Sequence, residues 1–374
     1  MGGYSMKVVI LTSSRADYGI YLPLLKKMKL DPWFDLKIVA FGTHLSKKHG
    51  FTLNQIISDG FEVAYKIETV SDTDSPMSIS QSMGITITKF AELWSELYKS
   101  VDLIICLGDR YEMFAAVASS VPFNIPMAHL HGGETTLGAI DDVLRHSITS
   151  MSAIHFASTE KHKDRIIQIL GHNKHVYNVG ALGLDNINEL EPLDDKSFFE
   201  KFGFKLDKPI LVTFHPETKN FEQNEHHIDE LITVLDGVNS QIVFTMPNAD
   251  TNNEIVRAKI EAFVRKSKNV IAIESMGTQG YFKCLKECAF VLGNSSSGII
   301  EAASFGKYVI NVGDRQLGRD AGKNVLNCKI NKDEIKRLID KVDLLPALSV
   351  NNIYGDGHSA DKIVDILKKM KNEI

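Results

Sequence analysis

The sequence predicts an α/β protein of two parallel-sheet domains, and three observations carry that expectation. Short apolar runs alternate with amphipathic helical segments along nearly the whole chain, the pattern of βα units. The alternation breaks once, between Asn186 and Lys208, where Glu189-Leu190-Glu191-Pro192-Leu193-Asp194-Asp195-Lys196 reads as an acidic, proline-containing linker. Residues able to do chemistry sit directly behind the apolar runs, at the edge where an open parallel sheet takes its ligands. A length of 374 residues suits two domains better than one.

In the first half, Lys7–Thr12 is a β-branched run and hence a buried strand, and Ser13–Gly19 a polar loop before a helix from Ile20 to Lys29. Leu36–Phe41 is a second strand, with Gly42-Thr43-His44 behind it. A helix over Phe51–Ser58 and a strand over Phe61–Ile67 lead to polar Thr69–Met77, a candidate mobile lid. An amphipathic helix spans Thr86–Lys99, and Val101–Leu107 is a buried strand ending in Gly108-Asp109-Arg110. Helix Met113–Val121 and strand Pro126–Leu130 follow, with His131-Gly132-Gly133-Glu134 at the strand's end. Asp141–Ser150 is helical, Ile154–Ala157 a strand, Lys161–Leu170 a helix and His175–Val179 a strand.

The second half opens on strand Pro209–Phe214 and loop His215-Pro216-Glu217. Helices Glu225–Asp236, Asn253–Ser267 and Tyr281–Glu287 alternate with strands Gln241–Met246 and Val270–Ile273. The apolar run Ala289–Leu292 then meets Gly293-Asn294-Ser295-Ser296-Ser297-Gly298 and a helix start. Small residues at a helix N-terminus offer hydroxyls and N–H groups to a phosphate, and this run has more of them than one helix cap needs. Glu301, a turn into that helix, suits ribose hydroxyls. Strand Tyr308–Val312, loop Gly313–Gln316 and a last helix, Asp361–Lys371, complete the chain.

Composition narrows the function. The net charge is −5 with no basic tail, which argues against a nucleic-acid partner. No apolar run reaches membrane-spanning length and no secretory signal is evident, so a cytoplasmic enzyme is expected. Met1–Ser5, ahead of a natural-looking start at Met6-Lys7, reads as an added or poorly ordered end. Cys106, Cys284, Cys288 and Cys328 read as packing residues, and no metal motif is specific enough to predict a metal. His226-His227 reads as solvated. No Gly-x-Gly-x-x-Gly fingerprint follows the first strand and no P-loop lysine appears, so no nicotinamide or ATP cofactor is expected.

The carboxylates Asp109, Glu134, Asp141 and Asp142 lie in or just after strand-end loops, and clustered carboxylates can divide acid and base roles. His44, His131 and His215 are candidate proton donors, and Arg15, Arg315 and Arg319 candidate phosphate partners. Arg110 and Arg145 are equally good partners for the carboxylates.

Ser14-Arg15-Ala16-Asp17-Tyr18-Gly19, Gly108-Asp109-Arg110, His131-Gly132-Gly133-Glu134, Asp141-Asp142 with Arg145-His146, His215-Pro216, Gly293–Gly298 with Glu301, and Gly313–Arg319 occur in that order. Together they resemble the hydrolysing branch of the UDP-N-acetylglucosamine 2-epimerase family, over nearly the whole chain. The non-hydrolysing branch carries Glu-Ala-Gly-Leu-Arg where this chain has Gly-Gly-Glu-Thr-Thr after His131. The resemblance implies the GT-B fold, two Rossmann-like domains with parallel sheets facing across a cleft. It places an N-terminal domain at residues 1–187, completed by a returning helix at 358–374, and a UDP-binding domain at 188–357.

The resemblance also implies a chemistry. UDP leaves C1 as the C2 proton is removed, water adds to the glycal-like intermediate, and a proton returns on the other face. The products are UDP and the manno-configured sugar, a precursor of nonulosonic acids. By resemblance Asp109, Glu134, Asp142 and His215 are catalytic. Arg15, Asp17, His44, Arg110, Ser295, Ser296, Ser297, Gly298, Glu301 and Arg315 bind the UDP-sugar. A homodimer or tetramer, and the absence of the kinase domain of the bifunctional animal enzymes, are further expectations. Two substrates remain open: UDP-N-acetylglucosamine and UDP-2,4-diacetamido-2,4,6-trideoxyglucose. A GT-B glycosyltransferase and a non-catalytic nucleotide-sugar sensor are the competing classes; neither needs the carboxylate cluster.

Overall fold

The computed structural model describes residues 5–46, 51–69, 75–135, 141–217, 221–247 and 253–370. The chain folds into two compact units. One holds Met1–Glu134, Ile140–Asn186 and Tyr354–Ile374; the other holds Thr135–Ala139 and Ile187–Ile353.

The first unit contains β1 (Met6–Thr12), α1 (Arg15–Leu30), β2 (Phe34–Phe41), α2 (Leu53–Ser58), β3 (Val63–Ile67), α3 (Pro76–Leu97), β4 (Leu103–Leu107) and α4 (Tyr111–Ser120). It continues with β5 (Met127–Leu130), α5 (Asp141–Met151), β6 (Ile154–Ala157), α6 (Glu160–Leu170) and β7 (Val176–Asn178). Its strands pair in parallel in the order β3-β2-β1-β4-β5-β6-β7. β1 and β4 are buried on both faces, as unbroken apolar runs demand. The strand order reverses between β1 and β4, a switch point where loops at the C-terminal edge diverge.

Helix boundaries correct three expectations. Ser13–Gly19 is mostly helix rather than loop, because Ser14 and Asp17 close a reciprocal capping box that starts α1 at Arg15. α3 begins ten residues before Thr86, with Ser75 accepting from Ser78 N and Pro76 in the first turn. Of the expected lid Thr69–Met77, Thr69 is buried, Pro76 and Met77 are helical, and residues 70–74 lie outside the described residues.

α7 (Asp185–Glu189) straddles the division, and α8 (Asp195–Phe202) opens the second unit. The expected linker, Glu189–Lys196, is helical only at its ends, where Glu189 closes α7 and Asp195 and Lys196 open α8. Asp194 caps α8, and Phe198 buries its ring against Phe202 and Phe204, at centroid distances of 4.7 and 5.3 Å. There follow β8 (Ile210–Thr213), α9 (Asn224–Asp236), β9 (Ile242–Thr245), α10 (Asn253–Lys266), β10 (Val270–Ile273), α11 (Gly277–Glu287) and β11 (Phe290–Gly293). Then come α12 (Ser296–Ile300), β12 (Val309–Val312), β13 (Val325–Cys328) and α13 (Lys332–Val342). The second sheet is parallel in the order β10-β9-β8-β11-β12-β13.

β13 and α13 are additions to the expected elements. α13 buries Ile335, Leu338, Ile339 and Val342, a helical stripe readable in the sequence. His227, expected to be solvated, is buried on the inner face of α9.

The chain returns to the first unit through α14 (Ser359–Lys369). Its stripe Ala360, Ile363, Val364 and Leu367 joins the core with Tyr21, Leu24, Leu25 and Met28 of α1. The Asp185 carboxylate accepts from Ser359 N at 2.9 Å and Ala360 N at 2.7 Å, satisfying donors that the start of a helix leaves unpaired.

Gly293 ends β11 at φ +137°, and a Cβ there would lie 2.0 Å from the Thr213 carbonyl oxygen. Gly293→Ala is therefore expected to cost at least about 2 kcal/mol of stability, measured by denaturant unfolding.

Candidate active site

In the first unit the loops behind β4 and β5 and the start of α5 converge on one cation. Arg145, only 4 % exposed, donates from Nη1 to the main-chain oxygen of Glu134 at 2.8 Å and to Asp142 Oδ1 at 3.0 Å. Its Nη2 donates to Asp109 Oδ2. One guanidinium thereby positions Asp109, Asp142 and the Glu134 loop, using the fixed fork of donors that lysine lacks. Arg145 is readable in the sequence only as a carboxylate partner; here it is the hub.

Glu134 is 4 % exposed, and its Oε1 accepts from His131 Nδ1 and from Ser158 Oγ, both at 2.9 Å. The Leu182 amide donates to His131 Nε2 at 3.4 Å, so the ring proton sits on Nδ1, facing the carboxylate. His131 lies past the end of β5, as the strand-end reading expects, and takes φ +63° there. A left-handed histidine is a strained position held by its surroundings. His129 stays in the strand, with Nε2 on Gly108 O at 2.9 Å, and burial pulls its pKa down to about 4. Gly133 is needed beside it, because a Cβ there would meet His162 O at 2.2 Å.

The other expected ligands of this unit divide. Arg15 is exposed in the first turn of α1. Arg110 precedes α4 and forks onto Glu112, with Nε–Oε2 at 3.3 Å and Nη2–Oε1 at 3.2 Å. Asp17 and His44 are buried and engaged internally. Asp17 accepts from Thr12 Oγ1 at 2.5 Å, Ser13 N at 2.9 Å and Ser13 Oγ at 2.7 Å. Burial opposes its charge, but the nearby His44 ring and the Thr12 and Ser13 hydroxyls outweigh that and hold its pKa below the usual range. His44 contacts Thr12 Oγ1 through Nε2 at 2.9 Å and Thr52 Oγ1 through Nδ1 at 2.8 Å. Both residues brace the loop behind β1. A surface depression of about 560 Å³ between α4 and α5, lined by Phe114, Val143 and His146 among others, contains none of these carboxylates.

In the second unit the loop behind β11 is built on Asn294. Its side chain clasps the main chain of His215, accepting from His215 N at 2.7 Å and donating to His215 O at 2.8 Å. Its own carbonyl accepts from Arg315 Nη1 at 3.2 Å and Gln316 Nε2 at 2.9 Å. His215 is buried, and burial together with the Arg315 charge lowers its pKa to about 3, so it is neutral near pH 7. Ser295 is the N-cap of α12, yet its hydroxyl makes no capping bond. Gly298 is buried within α12, where a Cβ would come 3.2 Å from Val309 Cγ1.

α12 is shorter than expected, running only from Ser296 to Ile300, and Glu301 closes it. Ser297 Oγ donates to Glu301 Oε2 at 2.7 Å and also meets Tyr281 OH. Burial pushes the Glu301 pKa up to about 7, against that hydrogen bond. Sequence reasoning marks the Asn294 loop but not its clasp on His215, and misses Tyr281, Ser158 and His162; the strand-end rule that flags Asp109 would find Ser158. Among the described residues no group of three or more His, Cys, Asp or Glu could hold a metal ion, and no helix is long and apolar enough to cross a membrane.

The family model for UDP-N-acetylglucosamine 2-epimerase matches residues 26–368. A Legionella pneumophila protein named UDP-N,N'-diacetylbacillosamine 2-epimerase (hydrolyzing) is 33 % identical, over 97 % of this chain and 95 % of its own. The Escherichia coli polysialic acid biosynthesis protein P7 is 34 % identical over 98 % and 95 %. The crystal structure of UDP-GlcNAc 2-epimerase from Neisseria meningitidis bound to UDP-GlcNAc shares the fold, with TM-score 0.81 at 18 % identity over 97 % of this chain and 100 % of that one. Two parallel-sheet α/β units of this kind define the GT-B class. The chain belongs to the UDP-N-acetylglucosamine 2-epimerase family and is an enzyme of its hydrolysing kind.

An acid whose folded-state pKa is raised binds more protons folded than unfolded. Stability must then fall as pH rises from the ordinary 4.5 towards about 7. Glu301→Gln removes this slope, so its melting temperature relative to the native chain is expected to improve from pH 4.5 to pH 8 in the absence of nucleotide.

Proposed function

We propose that the enzyme hydrolyses UDP-N-acetylglucosamine to UDP and N-acetylmannosamine by elimination to a glycal-like intermediate followed by hydration with inversion at C2. One observation carries the reading: Asp109 and Asp142 share the Arg145 guanidinium, which also binds the main chain of Glu134. The C2 proton is not acidic. Its removal needs a held carboxylate, and developing charge at C1 needs fixed charges nearby. Asp109, Glu134 and Asp142 supply these as a coupled set. Neutral His215 donates a hydrogen bond to the departing diphosphate, while Ser295, Ser296, Arg15 and Arg315 bind its phosphates and Glu301 accepts from the ribose.

The name of the Legionella relative supports a second reading, the same reaction on the sugar with acetamido groups at C2 and C4. Both substrates are to be incubated with the enzyme in deuterium oxide. The manno-configured free sugar carrying deuterium at C2 is the expected product, and the faster substrate identifies the physiological class. UDP release that required an added acceptor sugar would instead indicate a glycosyltransferase, and binding without turnover a sensor.

Asp109→Asn and Glu134→Gln are expected to bind UDP normally by calorimetry yet lose at least ~100-fold in kcat. Ser296→Ala is expected to weaken UDP binding with less effect on kcat.

A further inference from the structure

Ser158 and His162 carry no role in the reaction proposed above, yet both are buried, Ser158 against Glu134 and His162 against Ser158. Ser158 follows β6 and is fully buried; His162 is 3 % exposed in the first turn of α6, with its amide on the Thr159 hydroxyl. Ser158 Oγ lies 2.9 Å from Glu134 Oε1 and 2.9 Å from His162 Nδ1. A serine hydroxyl has one proton. When Glu134 is ionised that proton goes to the carboxylate, so His162 must carry its own proton on Nδ1 and donate to Ser158 Oγ. The ring of Tyr354, from the segment that returns to this unit, lies 6.1 Å from the His162 ring and helps enclose it.

We infer that His162 and Ser158 form a positioning relay that orients Glu134 for its acid–base step and favours its ionised form. The inference rests on the reading of Glu134 given above. Directed donation from His162 removes the freedom of the Ser158 rotor, and the Ser158 proton joins the His131 proton on the same oxygen, Oε1. Two donors on one oxygen restrain the carboxylate in addition to the Arg145 contact on the Glu134 main chain. The gain is orientation, since a carboxylate that swings by an ångström loses much of its effect. The other charged or titratable groups facing Glu134 are His131 and His129 from β5 and its loop, and Arg145 from α5 with the Asp109 and Asp142 it binds. These stay in place when the relay is cut.

The test uses Ser158→Ala, His162→Leu and His162→Asn in the full chain, because an Asn side-chain amide can place a donor where Nδ1–H stood. Ser158→Ala and His162→Leu are expected to lower kcat roughly tenfold to a hundredfold with little change in KM or UDP affinity. The limb of the pH–rate profile that Glu134 controls should move to higher pH, since a lost donor disfavours the ionised form. Their double variant should lose no more than the worse single one, and His162→Asn should recover most of the loss. Unchanged kcat and profile in Ser158→Ala, or His162→Asn behaving as His162→Leu, would overturn the relay.

An imidazole N–H proton resonance in the NMR spectrum gives a readout that needs no turnover. It should be absent in His162→Leu and lost or shifted in Ser158→Ala; its persistence unshifted in Ser158→Ala would also overturn the relay. A native chain that turns over no UDP-sugar but shows the expected resonance changes would retain the relay and reject the functional reading.

Discussion

The Arg145 guanidinium is the contact on which the first unit's chemistry depends. A buried cation is tolerated only when carboxylates or carbonyls surround it, and removing one partner of such a set typically costs about 3–5 kcal/mol. Arg145 meets that requirement with Asp109 from behind β4, Asp142 from its own helix and the main chain of Glu134 from behind β5. The loop behind β4 is thus locked to the loop behind β5 and the start of α5 by one charge. The same contacts that stabilise the fold hold the reacting groups, so preorganisation is built into the core packing rather than added to it.

The second unit reaches similar rigidity with neutral groups. Asn294 follows Gly293, whose φ of +137° lets the chain pass close to Thr213, and the asparagine then clasps His215 through both main-chain atoms. Its carbonyl collects Arg315 and Gln316 from the loop behind β12. Three strand ends are joined through one amide side chain and its peptide. Here the polarity of the backbone does what a charge does in the first unit, and a neutral His215 fits such a site.

Burial sets different proton states at different groups. His215 and His129 are held neutral, while Glu301 is left close to its titration point near pH 7. Asp17 is buried as well, yet hydrogen bonds keep it ionised. The same carboxyl or imidazole group is driven either way by whether donors reach its charged form, a balance that no local stretch of sequence expresses.

Much of the architecture is legible in the chain. Unbroken apolar runs can only be doubly covered strands, their alternation with helical stripes requires a parallel sheet, and a parallel sheet presents its strand-end loops along one edge. Those rules alone single out Asp109, Glu134 and the Asn294–Ser297 loop. The linker, by contrast, reads as a break because acids and a proline dominate it, although its Asp194 caps a helix whose Phe198 packs on Phe202 and Phe204. Side-chain partners are not legible either. The contacts of His44 and Asp17 with Thr12 cannot be read from either stretch, Arg145 looks like one partner among several but is the hub, and nothing in the sequence pairs Ser158 with His162 and Glu134. Sequence by itself determined which elements form and which loops share an edge, because hydrophobic periodicity is local. Tertiary structure alone decided which polar group meets which, because those contacts join strand ends separated by tens of residues and depend on where burial leaves each proton.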